Sequence, residues 1–251
     1  MSAPPALSHT VFRRQETSDL HMIQFCGLLA IAMCLLTGCA SSQGLSRDFL
    51  QDVIVQEETA FLDTPPAAAA PTLPSAPTLG FYFKPTGFMH REFEWASRDR
   101  DAVLAWAQGL SLGAGSGSTG FLTPSSLKGQ TLRELRATAA RYGVDWVVVF
   151  DGAAAVDRYN NYKAPLLYWT ILGTYLADGT HSDALCLMKA TVWDVKTGAR
   201  LFDDQAEAIT LTVGPAALVD DGREIERAKT RAMETLLQRL TDRFARLIGR
   251  R

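Results

Sequence analysis

Cysteine is scarce in this chain and poorly placed for crosslinking. Of the four, Cys26, Cys34 and Cys39 crowd one amino-terminal stretch, and only Cys186 lies beyond it. That spacing excludes a disulfide framework, and no Cys-x-x-Cys or His-x-x-x-His frame is present to hold a structural zinc. Histidine is nearly as rare after residue 39, where His90 and His181 stand in separate segments. Neither sign of charge dominates. The 25 Lys and Arg face 27 Asp and Glu for a net charge of -2, so a basic surface for nucleic acid is not expected. The longest charge-free apolar run, Ile23 to Leu36, falls short of the about twenty residues that a membrane-spanning helix needs. With 47% hydrophobic and 21% charged residues, the 251-residue chain has a globular composition, which excludes wholesale disorder, a collagen-like fibre and a polytopic membrane protein.

The run Ile23 to Leu36 has the length of a signal-peptide core, and Leu36-Thr37-Gly38-Cys39 follows at its end. These four residues look like a bacterial lipobox. On that resemblance residues 1–38 are a lipoprotein signal peptide, and Cys39 becomes the first mature residue, carrying a covalent diacylglycerol and an N-acyl chain. Three chains, at about 0.8 kcal/mol per buried methylene, make such an anchor effectively permanent. Ala40-Ser41, with no Asp beside the cysteine, fits outer-membrane sorting on the periplasmic face. Arg13 and Arg14 are offset by Glu16 and Asp19 and lie far from the apolar run, which argues against a twin-arginine signal; Met1 and Met22 are both open as the start.

After the lipobox, residues 39–63 read as a lipidated segment with one short helix. Residues 64–78, T-P-P-A-A-A-A-P-T-L-P-S-A-P-T, favour extended polyproline geometry and are expected to act as a tether. Residues 79–251 are expected to form a single α/β (α+β) domain. It would hold a mixed sheet of about five to six strands with two helices on it and a long C-terminal amphipathic helix. A first strand is expected over Leu79 to Lys84, and a helix capped by Ser97 runs to Gln108. The stretch Gly113 to Gly120 contains a formal G-x-G-x-x-G, but it follows a helix instead of a strand and reads as a flexible loop. Thr131 and Glu134 make a capping box for a helix with Leu132, Leu135, Ala139 and Tyr142 on one side, and Gly143 closes it. Trp146 to Phe150 is a strand buried on both faces, ended by Asp151-Gly152.

Pro165 to Ala177 carries no charge and is apolar on both alternate faces. It is expected as a covered central strand, with a membrane-inserting hairpin arm as the alternative. Leu185 to Val195 and Ala199 to Val213 form a hairpin about Lys196-Thr197-Gly198, and Arg223 to Ile248 is an amphipathic helix. Candidate chemistry is sparse. Asp178, His181 and Asp183 read as a polar turn between strands, and Cys186 as a small inert core residue. Asp203-Asp204 and Asp220-Asp221 are adjacent carboxylates that point opposite ways, and no G-x-S-x-G elbow is present. No catalytic residue, metal site or dissociable cofactor is expected.

The segment Y-W-T-I-L-G-T-Y-L-A-D-G-T from Tyr168, with A-T-V-W-D-V-K-T-G-A-R-L-F to Phe202 and L-R-A-T-A-A-R-Y-G-V-D-W-V-V-V-F-D before it, resembles the bacterial rhombotarget lipoproteins. The likeness covers most of Leu79 to Val213 besides the lipobox. That family supplies no catalytic residues to carry over, and this chain ends in Gly249-Arg-Arg without the apolar sorting tail of some relatives. The order of helix, Tyr-Gly-Val-Asp, strand and D-x-x-T-G hairpin is similar, more distantly, to the TolB amino-terminal domain and the curli-secretion pore lipoprotein. Together these imply a non-enzymatic, lipid-anchored envelope protein that binds an envelope protein partner and no nucleic acid. The alternative is a self-assembling export or pore component using Pro165 to Ala177.

Overall fold

The computed structural model describes residues 42–62, 70–85, 93–110, 117–122, 131–162, 164–168 and 170–249. In chain order these form α1 (Arg47–Phe61), β1 (Thr78–Phe83), α2 (Ser97–Gln108), β2 (Gly117–Phe121), α3 (Leu132–Arg141), β3 (Trp146–Asn160), α4 (Ala164–Leu167), α5 (Ile171–Leu176), β4 (Thr180–Asp194), β5 (Arg200–Gly214) and α6 (Asp221–Ile248). The strands make one mixed sheet in the order β2-β1-β3-β4-β5. β1 runs parallel to both neighbours, with Leu79 opposite Trp146 and Phe83 opposite Phe150. Among the described residues no helix is long and apolar enough to cross a membrane.

Alternation along the strands sends successive side chains to opposite faces, and on β1, β3 and β4 both faces are largely apolar because helices cover both. On one face Phe81, Trp146, Val148, Cys186 and Met188 pack against α2 and the Ala228, Ala232, Leu236, Leu240 stripe of α6. On the other, Tyr82, Val147, Val149 and Trp193 meet Phe61 of α1 and Leu132, Leu135 and Ala139 of α3. Leu50 and Ile54 of α1 complete that face over Ala153, Leu185 and Leu187. The mixed α/β class and long terminal helix are therefore as expected, with four helices on the sheet instead of three.

Local signals explain most boundaries. Thr131 Oγ1 accepts from the Glu134 N–H at 3.4 Å to start α3, and Gly143 leaves it at φ 69°. Tyr142, expected on the buried side, is exposed because α3 ends at Arg141. The cap of α2 is Ala96, one residue before the expected Ser97: the Asp99 carboxylate accepts from the Ala96 N–H at 2.8 Å, so the third helical residue ties the turn. Asp220 caps α6 by accepting from the Arg223 N–H.

Three strand expectations are corrected. β3 does not stop at Asp151-Gly152 but runs on to Asn160, because Asp151 is held by Lys84 and Gly152 receives the Phe93 ring. Of the glycine-rich stretch read as a loop, Gly117–Phe121 is a strand, since β1 offers it a free edge to pair with; residues 111–116 lie outside the described residues. The described residues of Pro165 to Ala177 form no strand. Thr170 accepts from the Gly173 N–H at 3.0 Å and starts α5, while α4 takes Pro165 as its second residue, where no intrahelical N–H partner is lost. A run apolar at every position has no period of its own, so its caps decide between helix and strand.

By its contacts the chain divides into two units. The larger contains Gln43–Arg158, His181–Val213 and Val219–Arg251. The smaller contains Tyr159–Thr180 and Gly214–Leu218, where Tyr168 Oη lies 3.0 Å from Thr180 Oγ1 and Thr180 Oγ1 donates to Asn160 at 2.8 Å.

Gly152 admits the Phe93 ring because it has no side chain: a Cβ there would stand 2.4 Å from Phe93 Cζ. Gly152→Ala is expected to cost about 1–3 kcal/mol by overpacking. Pairing it with Phe93→Leu should recover part of the loss in urea denaturation followed by tryptophan fluorescence.

Candidate functional site

The lipobox residues Leu36, Thr37, Gly38 and Cys39 lie outside the described residues, as does His90. From Gln43 the chain is held to the sheet. The N–H groups of Gln43 and Gly44 donate to the two carboxylate oxygens of Asp157 on β3, at 3.2 and 2.9 Å. Ser46 then caps α1 by accepting from the Phe49 N–H at 3.2 Å.

Helix α1 is held down by charge as well as by Leu50, Ile54 and Phe61. Lys84, at the end of β1, bonds to Asp151 on β3 and reaches Glu57 of α1 at 3.2 Å. Lys189 of β4 bonds to Glu58 at 2.5 Å, with Asp203 and Arg200 of β5 at the margin. Between these pairs lies a cavity of about 20 Å³, lined by Glu58, Phe61, Lys84, Asp151, Lys189 and Trp193. Burial raises the Asp151 carboxyl above its ordinary value even though Lys84 pulls it down. Burial likewise pushes the Tyr82 phenol, stacked on Phe61 at 6.1 Å, up to about 12.

A second buried cation stands on the opposite face. Lys229 of α6 is fully enclosed and bonds to Asp99 of α2 and to Glu226 at 2.9 Å each, and to the Glu94 carbonyl at 2.7 Å. Asp99 thus serves the α2 cap and the α2–α6 contact together. Trp106 Nε1 adds a bond to Thr241 at 2.8 Å between the same helices. Cys186 lies in this core, and burial pushes its thiol up to about 12, with smaller effects from Lys229, which lowers it, and Asp99, which raises it. It is therefore protonated and shielded at neutral pH.

The other candidates fall where their chemistry is spent locally. Asp178 precedes β4 in the smaller unit, its carbonyl bonded to Asn161, while His181 and Asp183 stand in β4. Among the described residues no group of three or more His, Cys, Asp and Glu is arranged to hold a metal ion. The adjacent carboxylates do point opposite ways: Asp203 lies near Lys189, and Asp204 binds Arg243 at 3.0 Å on α6. Asp220 caps α6, and Asp221 accepts from Ser182 at 2.7 Å. The open groove at the start of α6 mixes Arg98, Arg223, Arg227 and Arg231 with Glu94, Glu226 and Glu234, so neither sign prevails there.

Sequence patterning missed both ion clusters. A lone Lys in a strand, as at Lys84 or Lys189, reads as a solvent-facing residue. The one available signal was that each interrupts an otherwise apolar run, F-Y-F-K and L-C-L-M-K-A.

Asp194 closes the β4–β5 turn and also reaches back along the chain. Its carboxylate accepts from Thr72 N at 2.5 Å and Thr72 Oγ1 at 2.6 Å, and from the backbone of Lys196 and Thr197. In the 64–78 stretch, then, the described residues from 70 onward lie against the folded unit, and Trp146 Nε1 donates to the Thr72 carbonyl as well.

No protein-family model matches the sequence, and no curated protein matches it significantly. Similar solved structures include a neuraminyllactose-binding hemagglutinin homolog from Helicobacter pylori (10% identity, 73% of this chain and 91% of that one, TM-score 0.40). Others are the PelC dodecamer from Paraburkholderia phytofirmans (12%, 70% and 93%, 0.32) and lipoprotein GNA1162 from Neisseria meningitidis (11%, 68% and 99%, 0.30). Bacterial lipoproteins are thus among the structures this chain is similar to; at these scores the likeness says nothing of activity.

Removing one partner of a buried pair strands the other charge. Lys229→Met is expected to destabilise the protein by about 3–5 kcal/mol, and adding Asp99→Asn to recover part of that in urea denaturation. For Asp194, burial alone would raise the carboxyl, but the bonds from Thr72 and Thr197 hold it below its ordinary value. A folded value below the unfolded one gives stability that is complete above the unfolded value and lost as pH falls through the folded one. Asp194→Asn should therefore cost about 2 kcal/mol at neutral pH, and the gap to the parent should narrow below about pH 4. An unchanged gap in denaturation series across pH would contradict this assignment.

Proposed function

We propose that this chain is a lipoprotein of the bacterial outer membrane, anchored through Cys39 on the periplasmic face, whose α/β fold binds another envelope component instead of performing catalysis. The observation that carries the reading is Leu36-Thr37-Gly38-Cys39 at the end of the fourteen-residue run Ile23 to Leu36. The buried charges support the second half. Lys84, Asp151, Lys189, Asp99 and Lys229 are all engaged in fastening helices to the sheet or to each other. The resemblance over Leu79 to Val213 supports placing the chain among the rhombotarget lipoproteins.

Two experiments test this. Mass spectrometry of membrane-extracted protein should find a chain beginning at a lipidated Cys39, and Cys39→Ala should leave an unmodified precursor; an unmodified parent chain would refute the anchor. In-cell crosslinking of the lipidated protein should then capture one dominant envelope protein. A ladder of self-adducts would instead favour self-assembly, and turnover of a small substrate by protein that captures no partner would refute the binding role.

A further inference from the structure

We propose that α4 and α5 form a surface that rests in the headgroup region of the membrane carrying the Cys39 lipids. This rests on the lipidation reading above. The first support is the length of chain that leads to the anchor. Asp157 holds the backbone of Gln43 and Gly44, and only four residue steps separate Gln43 from Cys39, a reach of at most about 14 Å. Since α1 packs into the core before the proline-rich stretch begins, that stretch joins two parts of one folded unit and cannot stand the fold off from the bilayer.

The second support is what the smaller unit exposes. Asn160 is the last residue of β3. Asn160 accepts from Thr180, and Thr180 meets the hydroxyl of Tyr168 at the end of α4. Within the smaller unit the side chains of Ile171, Leu172 and Leu176 are 83, 71 and 77% exposed, joined by exposed Leu167, Tyr175 and Leu218. The Ala217 N–H donates to the Thr174 carbonyl at 3.1 Å, which fastens the Leu218 turn to α5.

The chemistry of this patch fits lipid. From Ala164 to Ala177 there is no Asp, Glu, Lys or Arg, so insertion desolvates no charge. A tyrosine among leucines and isoleucine suits the boundary between headgroups and acyl chains. Helices of four and six residues are far too short to cross a bilayer, so the surface lies on it and does not span it. An apolar patch left in water would be a liability to a soluble protein; in a lipid-anchored protein it is a second contact with the membrane.

The test uses the full lipidated protein in vesicles of phosphatidylethanolamine and phosphatidylglycerol, with a polarity-sensitive fluorophore on Leu172→Cys, on Leu176→Cys as a second position, and on Gln238→Cys in exposed α6 as control. Native Cys186 is buried and leaves the label selective. On binding vesicles, iodide quenching should fall several-fold at positions 172 and 176 and stay constant at 238. Flotation with the vesicles and unchanged quenching at both patch positions would overturn the proposal while leaving the anchor intact. Equal shielding in unlipidated protein carrying Cys26→Ala, Cys34→Ala and Cys39→Ala, without vesicles, would assign the patch to a second copy and also overturn it. Failure to float, with no lipid mass on Cys39, would remove the anchor and this inference together.

Discussion

Two lysines rise from one face of the sheet, and two glutamates of α1 come down to meet them. Lys84 with Asp151 and Glu57, and Lys189 with Glu58, set where α1 sits, and much of the remaining architecture follows from that placement. With α1 seated, Leu50 and Ile54 cover Ala153, Leu185 and Leu187, and the central strands β3 and β4 become buried on both faces. Buried pairs of this kind contribute little net stability compared with apolar replacements. Their value lies in excluding other placements, because any shift of α1 along the sheet leaves a buried charge without its partner.

The opposite face obeys the same rule with different parts. Lys229 has no route to water, so α6 can dock only where Asp99, Glu226 and the Glu94 carbonyl converge. Asp99 is in turn committed to the first turn of α2. The start of one helix and the position of another are thereby coupled through a single carboxylate. One helical layer is registered against the sheet by charge, the helices of the other against each other, and both are bound to the sheet by apolar area. That division of labour leaves the buried ionisable groups engaged in architecture.

The position of α1 also changes the meaning of the proline-rich stretch. Composition alone makes residues 64–78 a spacer, and a spacer after a lipid anchor implies a fold held away from the bilayer. With α1 in the core and Thr72 bound to Asp194, the chain from Gln43 onward is tied to the fold. A lipid on Cys39 would then hold the folded unit close to the membrane surface, where an exposed Ile171, Leu172 and Leu176 are an asset.

Much of this fold was legible in the residue order because its signals are local. The three-to-four spacing of Ile225, Ala228, Ala232 and Leu236 needs no partner to be recognised, nor does the Thr131 cap, the left-handed Gly143 or the turn at Lys196-Thr197-Gly198. The cysteine spacing and lipobox pattern, which carry the anchor proposal, are local too. What the tertiary structure decided were matters of partnership. Gly117–Phe121 is a strand because β1 presents an edge to it, and β3 continues through Asp151 because Lys84 waits beside it. Ala164–Leu167 and Ile171–Leu176 are helical, with Leu167, Ile171, Leu172, Tyr175 and Leu176 exposed, since hydrophobicity without a period cannot say which side is covered, or whether any is. Lys84, Lys189 and Lys229 look alike in sequence to any surface lysine; burial depends on what folds over a side chain, and that information lies in residues scores of positions away.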